Sequence, residues 1–98
     1  MRVTIEGHSY LLDASNGTTQ PLDFIRKENC DGALVLVANG TTTEEVLRVL
    51  IDRMKYLQNS VPSIENVIVI TKLEEALRWL EMRTADRIAR NVEATPSI

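Results

Sequence analysis

The long helical pattern in the C-terminal third most constrains the fold. Between Ser63, a good helix cap, and residue 91, the stretch IENVIVITKLEEALRWLEMRTADRIARN contains no helix breaker. Its first part is rich in β-branched residues, but it continues without interruption into a clear helical period. We predict one helix over 64–91, about 40 Å long at 1.5 Å per residue. Its apolar face carries Val69, Ile70, Leu73, Leu77, Leu80 and Ile88, and Glu74, Arg78 and Glu81 are expected to lie opposite.

A shorter helix is predicted before it, over 43–58. The stretch TTTEEVLRVLIDRMKYLQ begins with Thr41 or Thr42 as a cap, and two glutamates follow in the first turn. This helix would span only about 24 Å and cannot cover its longer partner. The uncovered apolar face needs the β part or another chain, so we expect an oligomer.

The first 40 residues are typical of β structure. The stretch RVTIEGHSYLL predicts a hairpin that turns at Gly7-His8, and NGTTQP at 16–21 predicts a loop. Two further strands are predicted at 22–25 (LDFI) and 33–38 (ALVLVA), joined through RKENCDG. The predicted fold class is α+β: a small N-terminal antiparallel β-sheet over 1–40, then a two-helix antiparallel hairpin with a C-terminal tail over 41–98. We expect these parts to form one compact, homo-oligomeric domain.

Composition excludes several function classes. The net charge of −3 argues against binding to a nucleic-acid polymer, although a local pocket for a small phosphorylated molecule is compatible with it. Cys30 and His8 are the only cysteine and histidine, too few for a structural zinc site or a disulfide framework. An isolated cysteine without a signal peptide or an apolar run of about 20 residues suggests the cytoplasm and no membrane partner.

Three arginines in the long helix raise the question of a ligand. Helical spacing places Arg83, Arg87 and Arg90 within about 60° of one another, and Asp86 is the main anion nearby. These guanidinium groups could face water, a partner chain or a phosphorylated ligand. As salt-bridge residues they would pair with Glu44, Glu45 or Glu93.

The second half of the chain resembles a known phage family. NGTTTEEVL, IDRM and, above all, TKLEEALRWL followed by RT..R.AR carry the resemblance, which runs from about residue 39 to 95. They resemble the Thoeris anti-defence phage sponges of the first type, whose helical hairpin is similar to that of the phage anti-CBASS sponges. The resemblance implies a non-enzymatic protein without cofactor or metal. It would act in the cytoplasm of the infected bacterial host and sequester glycocyclic ADP-ribose isomers or, in several members, cyclic dinucleotides or trinucleotides.

The resemblance also implies a ligand pocket between protomers of a dimer, or of a hexamer built from dimers. Asn66, Arg83 and Arg87 match the family's pocket residues. Leu57 stands where the family has an aromatic residue, with Tyr56 beside it as a substitute. Two further departures are Ile64 in place of an arginine and NVEAT in place of a glycine-containing tail.

Geometry favours a pocket between protomers independently. Asn66 and Arg83 are roughly 26 Å apart along one helix, about twice the length of a cyclic dinucleotide. Two long helices packed antiparallel about a two-fold axis would bring Asn66 of one copy to the arginines of the other. Trp79 and Arg90 complete the candidate site. Asn66 could instead belong only to the helix cap, and Trp79 only to a protein interface.

The residues support two main hypotheses. The first is a non-catalytic trap for a cyclic nucleotide, and the alternative is a small oligomeric adaptor without a nucleotide ligand. A third hypothesis, cleavage of the cyclic signal, lacks a recognisable nucleophile, metal cluster or glycine-rich phosphate loop in the sequence.

Overall fold

A computed structural model describes residues 1–90. The predictions that concern residue 91, Glu93 and the 91–95 tail lie outside the described residues. The described chain divides after Thr42 into two compact units, one built from strands and one from helices, and each is described by itself. The elements are β1 (Arg2–Ile5), β2 (Ser9–Asp13), β3 (Thr19–Asp23), β4 (Arg26–Cys30), β5 (Ala33–Ala38), α1 (Thr43–Ser60) and α2 (Ile64–Ala89). The predicted α+β class is confirmed, with two small sheets in place of one.

The first sheet contains β1, β2 and β3 in that order, all antiparallel. The predicted β1–β2 hairpin is confirmed, with Gly7 at a φ of 75° in its turn. The prediction of a loop over 16–21 is wrong in its second half, because residues 19–21 pair with β2. The turn is complete by Thr18, whose backbone N–H and hydroxyl both donate to Asn16 Oδ1, at 3.1 and 2.6 Å. Pro21 is tolerated because β3 is an edge strand.

The second sheet is the β4–β5 hairpin. We predicted the segment RKENCDG as a connection, and this is wrong for residues 26–30, which form β4. Its turn is the two-residue Asp31-Gly32 loop, in which both residues have positive φ, 53° and 83°. This is the conformation that Asp-Gly favours in tight hairpins. The Asn29 side chain supports it by accepting a hydrogen bond from the Gly32 N–H at 3.0 Å.

Gly40 lies near the end of the strand unit, after β5. The backbone beside it runs along the end of β3, where Thr41 N–H donates to Asp23 O and Ile25 N–H to Thr41 O. A Cβ atom on Gly40 would lie 2.5 Å from Asp23 O. Only glycine permits this approach.

The two helices form the predicted antiparallel hairpin, and the stretch IENVIVI is helical as predicted. Ser63 is confirmed as the cap of α2, since its hydroxyl accepts a hydrogen bond from the Asn66 N–H at 3.1 Å. The Ser63 N–H in turn donates to Gln58 Oε1 at 3.0 Å. The short turn therefore fixes the angle at which the chain enters α2.

The contact between α1 and α2 is a narrow seam centred on Ile51, which is 8% exposed. The half-buried apolar residues of α2 share one face: Ile70, Leu73, Leu77 and Leu80. Glu74 and Glu81 were predicted on the opposite face, and this is wrong. Glu74 pairs with Lys55 at 3.3 Å and Glu81 with Arg48 at 3.4 Å. Both carboxylates lie beside the seam, where long basic side chains of α1 reach across to them.

The outward side of α2 is left uncovered in the single chain. No residue of this helix is fully buried along its described length. Its exposed apolar residues include Ile64, Ile68, Trp79 and Met82. The predicted oligomer that would cover them stays a prediction. Neither described helix is long and apolar enough to cross a membrane.

Candidate functional site

An open depression of about 290 Å³ lies on the C-terminal half of α2. Trp79, Met82, Arg83 and Asp86 line it. These residues follow one another at helical steps of three, one and three, which places them on one side of a single helix. We call this surface the Trp79 depression. It combines a large aromatic ring, a flexible thioether and charged groups, which is a composition suited to an amphipathic ligand.

Arg83 is the most unusual residue of the depression. Its side chain is half-buried, and its Nε atom is buried without a hydrogen-bond partner among residues 1–90. A buried donor without a partner costs about 1–3 kcal/mol. The guanidinium group is also a planar fork that matches phosphate and carboxylate oxygens. Arg83 thus combines an unsatisfied buried Nε with a terminal fork that an anionic acceptor could bind.

Asp86 is the acidic residue that lines the depression, and a neighbouring cation pairs with its carboxylate. Its carboxylate pairs with Arg90 at 2.6 Å, one helical turn further on. Arg90 also closes the helix, since its backbone N–H donates to Asp86 O at 3.0 Å. Arg87 is half-buried between these residues. Residues 82–90 of this acidic chain thus carry three guanidinium groups, those of Arg83, Arg87 and Arg90, beside the Asp86 carboxylate.

Trp79 is exposed over 63% of its surface. Tryptophan usually buries most of its large apolar surface, so an exposed indole beside a half-buried arginine is a candidate contact surface. The partner could be a base or another helix, and both alternatives from the sequence stay open here.

The remaining predicted site residues lie around the turn at the other end of α2. Asn66 is half-buried, and its side-chain amide donates to Val61 O at 3.2 Å. Tyr56 is exposed and Leu57 is half-buried, in the last turns of α1. Asn66 therefore contributes to the turn and the cap, as the plainer of its two sequence interpretations predicted.

The seven predicted site residues thus fall into two groups at opposite ends of α2. The structure brings Trp79 and Arg83 together, and it places Tyr56, Leu57 and Asn66 around one turn. It does not join the two groups within one chain. Our assignment of all seven to one pocket between protomers stays a prediction.

Met82 and Asp86 line the depression, and sequence reasoning did not assign them to the site. The sequence nevertheless contained a signal that would have placed both residues in the site. They follow Trp79 at i+3 and i+7, on the same side of the helix. Asp86 was noted only as a counter-ion, because a carboxylate is not an expected neighbour of an anionic ligand.

Comparisons with known proteins place this surface in a family. The family described as "Acb2/Tad1, hairpin domain" matches residues 26–85, which is more than half of the 98 residues. The chain belongs to the Acb2/Tad1 hairpin family. The matched part of the hairpin contains Trp79, Met82 and Arg83, and it ends just before Asp86. Arg87 and Arg90 lie beyond the matched residues.

A curated relative matches the Acb2/Tad1 hairpin of this chain as well. "Thoeris anti-defense 1" of Bacillus phage SBSphiJ7 is 51% identical over 59 residues, or 59% of this chain. The match spans 42% of that phage protein, less than half its length. Together these matches confirm the relationship to the Thoeris anti-defence sponges that the sequence motifs indicated.

Proposed function

We propose that this chain is a phage anti-defence protein that binds a cyclic nucleotide immune signal and withholds it without cleaving it. The family match and the name of the Bacillus phage relative support the anti-defence role. The proposed ligands are glycocyclic ADP-ribose isomers, with cyclic dinucleotides or trinucleotides as further candidates. The proposed place of action is the cytoplasm of the infected host.

One observation carries the proposal: Arg83 is half-buried, its Nε has no hydrogen-bond partner among the described residues, and it stands beside an exposed tryptophan in an open depression. A cyclic nucleotide presents the two complementary groups. Its phosphate oxygens would accept hydrogen bonds from Arg83, and a base or ribose would pack on Trp79. The Arg83 guanidinium group would attract an anionic ligand although the whole chain is acidic.

The second half of the proposed pocket comes from another copy of the chain. The outward apolar residues of α2 need a cover, and a second α2 packed antiparallel about a two-fold axis would supply one. This arrangement would bring Asn66, Leu57 and Tyr56 of one copy toward Arg83 and Arg87 of the other. Two equivalent pockets per dimer would result.

Binding without chemistry is sufficient for this role. A protein that binds the signal more tightly than its effector, and that is present in excess, lowers the free signal concentration by mass action. No proton transfer or nucleophile is needed.

Calorimetric titration tests the proposal. The protein is titrated with cyclic ADP-ribose isomers and with cyclic dinucleotides. At least one ligand should bind, and Arg83→Ala should weaken its affinity about 10- to 100-fold, the equivalent of 1.5–3 kcal/mol for a charge-assisted hydrogen bond. Arg78→Ala is the matched control, because Arg78 is an exposed arginine of the same helix outside the depression. Equal affinity of Arg83→Ala and the parent would contradict the site.

A release experiment separates the three functional classes. The complex is heated, and the released nucleotide is identified by mass spectrometry. The proposed sequestration predicts the intact ligand at one equivalent per site. An altered nucleotide would indicate an enzyme, and the absence of any bound nucleotide would favour the oligomeric adaptor.

A further inference from the structure

Asp86 is the residue of the Trp79 depression that the proposed function does not explain. It is the acidic one of the four described residues that line this surface. A carboxylate repels the phosphate groups of a nucleotide, so its presence should lower the affinity of a ligand that offers only phosphate oxygens. Either Asp86 has a role in folding alone, or the ligand carries a hydrogen-bond donor that compensates for this repulsion.

A role in folding alone accounts for little of the Asp86 side chain. It is exposed over 62% of its surface, and its ion pair joins Oδ2 to Nη2 of Arg90 at 2.6 Å. An exposed pair at this spacing stabilises a helix only slightly. Asp86 also does not supply the acceptor that the Nε of Arg83 lacks, although the two residues are three apart on one side of α2.

The Asp86 carboxylate can still accept further hydrogen bonds. Two carboxylate oxygens offer about four lone-pair sites, and a single ion pair does not occupy them all. Arg83 and Asp86 are therefore complementary within one depression, because a guanidinium group only donates and a carboxylate only accepts. A ligand that satisfies both must present an anionic acceptor and, close to it, a hydroxyl or N–H donor.

The spacing of the lining residues arranges these groups in a row. Trp79, Arg83 and Asp86 follow one another along α2, with about 6 Å and then about 4.5 Å between them along the axis at 1.5 Å per residue. A ligand that packs a base on Trp79 and places a phosphate at Arg83 would have its next group at Asp86. That group is whatever lies beyond the phosphate.

We propose that Asp86 accepts hydrogen bonds from the free hydroxyl groups of a ribose that lies beyond the phosphate, and that it thereby selects ligands with such a ribose. The inference rests on the proposed function. Both proposed ligand classes carry a ribose on each side of a phosphate linkage, whereas only the cyclic di- and trinucleotides carry a second base. The ribose is thus the donor that all of these ligands share. Carboxylates also bind ribose hydroxyls at other nucleotide sites.

Asp86 and Arg83 then have separate effects on binding. Arg83 raises the affinity of every ligand that has a phosphate at this position. Asp86 raises the affinity only of a ligand that has the hydroxyl groups, by about 10-fold or more for a hydrogen bond to a charged acceptor. A ligand without them leaves the carboxylate beside the phosphate with no compensation, so it is rejected.

Paired probes of equal charge test this selection by calorimetric titration. The first pair is 3′,5′-cyclic di-AMP and its counterpart without the 2′-hydroxyls. The second is a glycocyclic ADP-ribose isomer and its analogue without the free hydroxyls of the ribose that carries no base. For at least one pair, the parent should bind the hydroxyl form about 10-fold more tightly or better. In Asp86→Ala that ratio should fall toward one, through weaker binding of the hydroxyl form and equal or tighter binding of the deoxy form.

Two further variants separate the carboxylate from its surroundings. Arg90→Ala breaks the same ion pair but leaves the carboxylate in place, so the ratio between the two probes should stay as in the parent. Asp52→Ala makes the same change in net charge at an exposed position of α1 outside the depression, and it too should keep the parental ratio.

Each outcome decides the proposal. A parental preference for the hydroxyl form that is lost in Asp86→Ala alone supports it. Equal binding of both probes by the parent, a preference that survives in Asp86→Ala, or equal weakening of both probes by that variant overturns it, and each of these leaves the proposed function intact. If no probe of either pair binds the parent, the proposed function fails and this inference fails with it.

Discussion

The two ends of α2 differ in how their polar groups are satisfied. At the turn end, residues 56–66, the Ser63 hydroxyl, the Gln58 side chain and the Asn66 amide all make hydrogen bonds within the hairpin. At the arginine end, residues 79–90, Arg83 has a buried Nε without a described partner, and Trp79 is exposed. The first end is arranged for folding. The second retains an energetic cost that a ligand or partner can remove, which is typical of functional sites.

Loss of the packing between α1 and α2 should destabilise both ends of α2 together and produce the largest effect. Ile51 is the buried centre of the seam that holds α2 against α1. Ile51→Ala should lower the free energy of unfolding by about 2–4 kcal/mol, because it removes buried methyl groups and leaves a cavity. Chemical denaturation measures this change. Val49→Ala, at an exposed position of α1, should stay within about 0.5 kcal/mol, and an equal loss for both variants would contradict the seam.

The turn end should respond to loss of its cap. Ser63→Ala removes the acceptor of the Asn66 N–H and should lower the free energy of unfolding by about 1 kcal/mol. Urea denaturation provides the measurement. The control is Ser60→Ala, since the Ser60 hydroxyl only donates back to Tyr56 O within α1. A cost at Ser60 equal to that at Ser63 would argue against a specific cap.

The arginine end should respond in the opposite direction. Arg83→Met keeps the length of the side chain and removes a buried, unpaired donor, so the free energy of unfolding without ligand should rise by about 1 kcal/mol. The comparison is made at one fixed protein concentration, with Arg78→Met as the exposed control. If Arg83→Met lowered stability, Arg83 would be a structural residue and the contrast between the two ends would disappear.

The smallest expected effect concerns the ion pairs beside the seam. Lys55 and Glu74 are partly exposed, so a double-mutant cycle to alanine should give a coupling of about 0.5 kcal/mol. The coupling should decrease in 1 M salt, where screening is strong. A parallel cycle between Lys55 and the exposed Glu75 should give none. Coupling of the same size in both cycles would show that the pair is not specific.

The sequence predicted the helical unit well, and the reasons are local. The helical period, the Ser63 cap and the absence of breakers sufficed to assign IENVIVI to a helix in spite of its β-branched residues. The β unit was predicted less completely, because RKENC has no apolar alternation and its strand character comes from pairing with β5. The positions of Glu74 and Glu81 were missed although the helical period fixes them, since each directly follows a half-buried leucine, Leu73 or Leu80. Their environment depends on which side chains of α1 stand opposite.

Some features of the candidate site were likewise predictable from the sequence, and others were visible only in the structure. Spacing along one helix was enough to place Trp79 and the arginines on neighbouring positions, and family motifs pointed to Arg83. Sequence could not show that the Arg83 Nε would be buried without a partner, or that the Asn66 amide would bond to Val61 O. Burial and hydrogen bonding depend on how neighbouring segments pack.

By itself, the sequence determined where each helix begins, where the β1–β2 hairpin turns and that Trp79 and the arginines take neighbouring positions on α2. These properties follow from backbone preferences and periodicity over a few residues. The tertiary structure decided that β4 is a strand, which charges pair across the seam, and that Arg83 is half-buried beside an exposed tryptophan. Those outcomes need contacts between distant parts of the chain, where desolvation and available partners set the energy of each polar group.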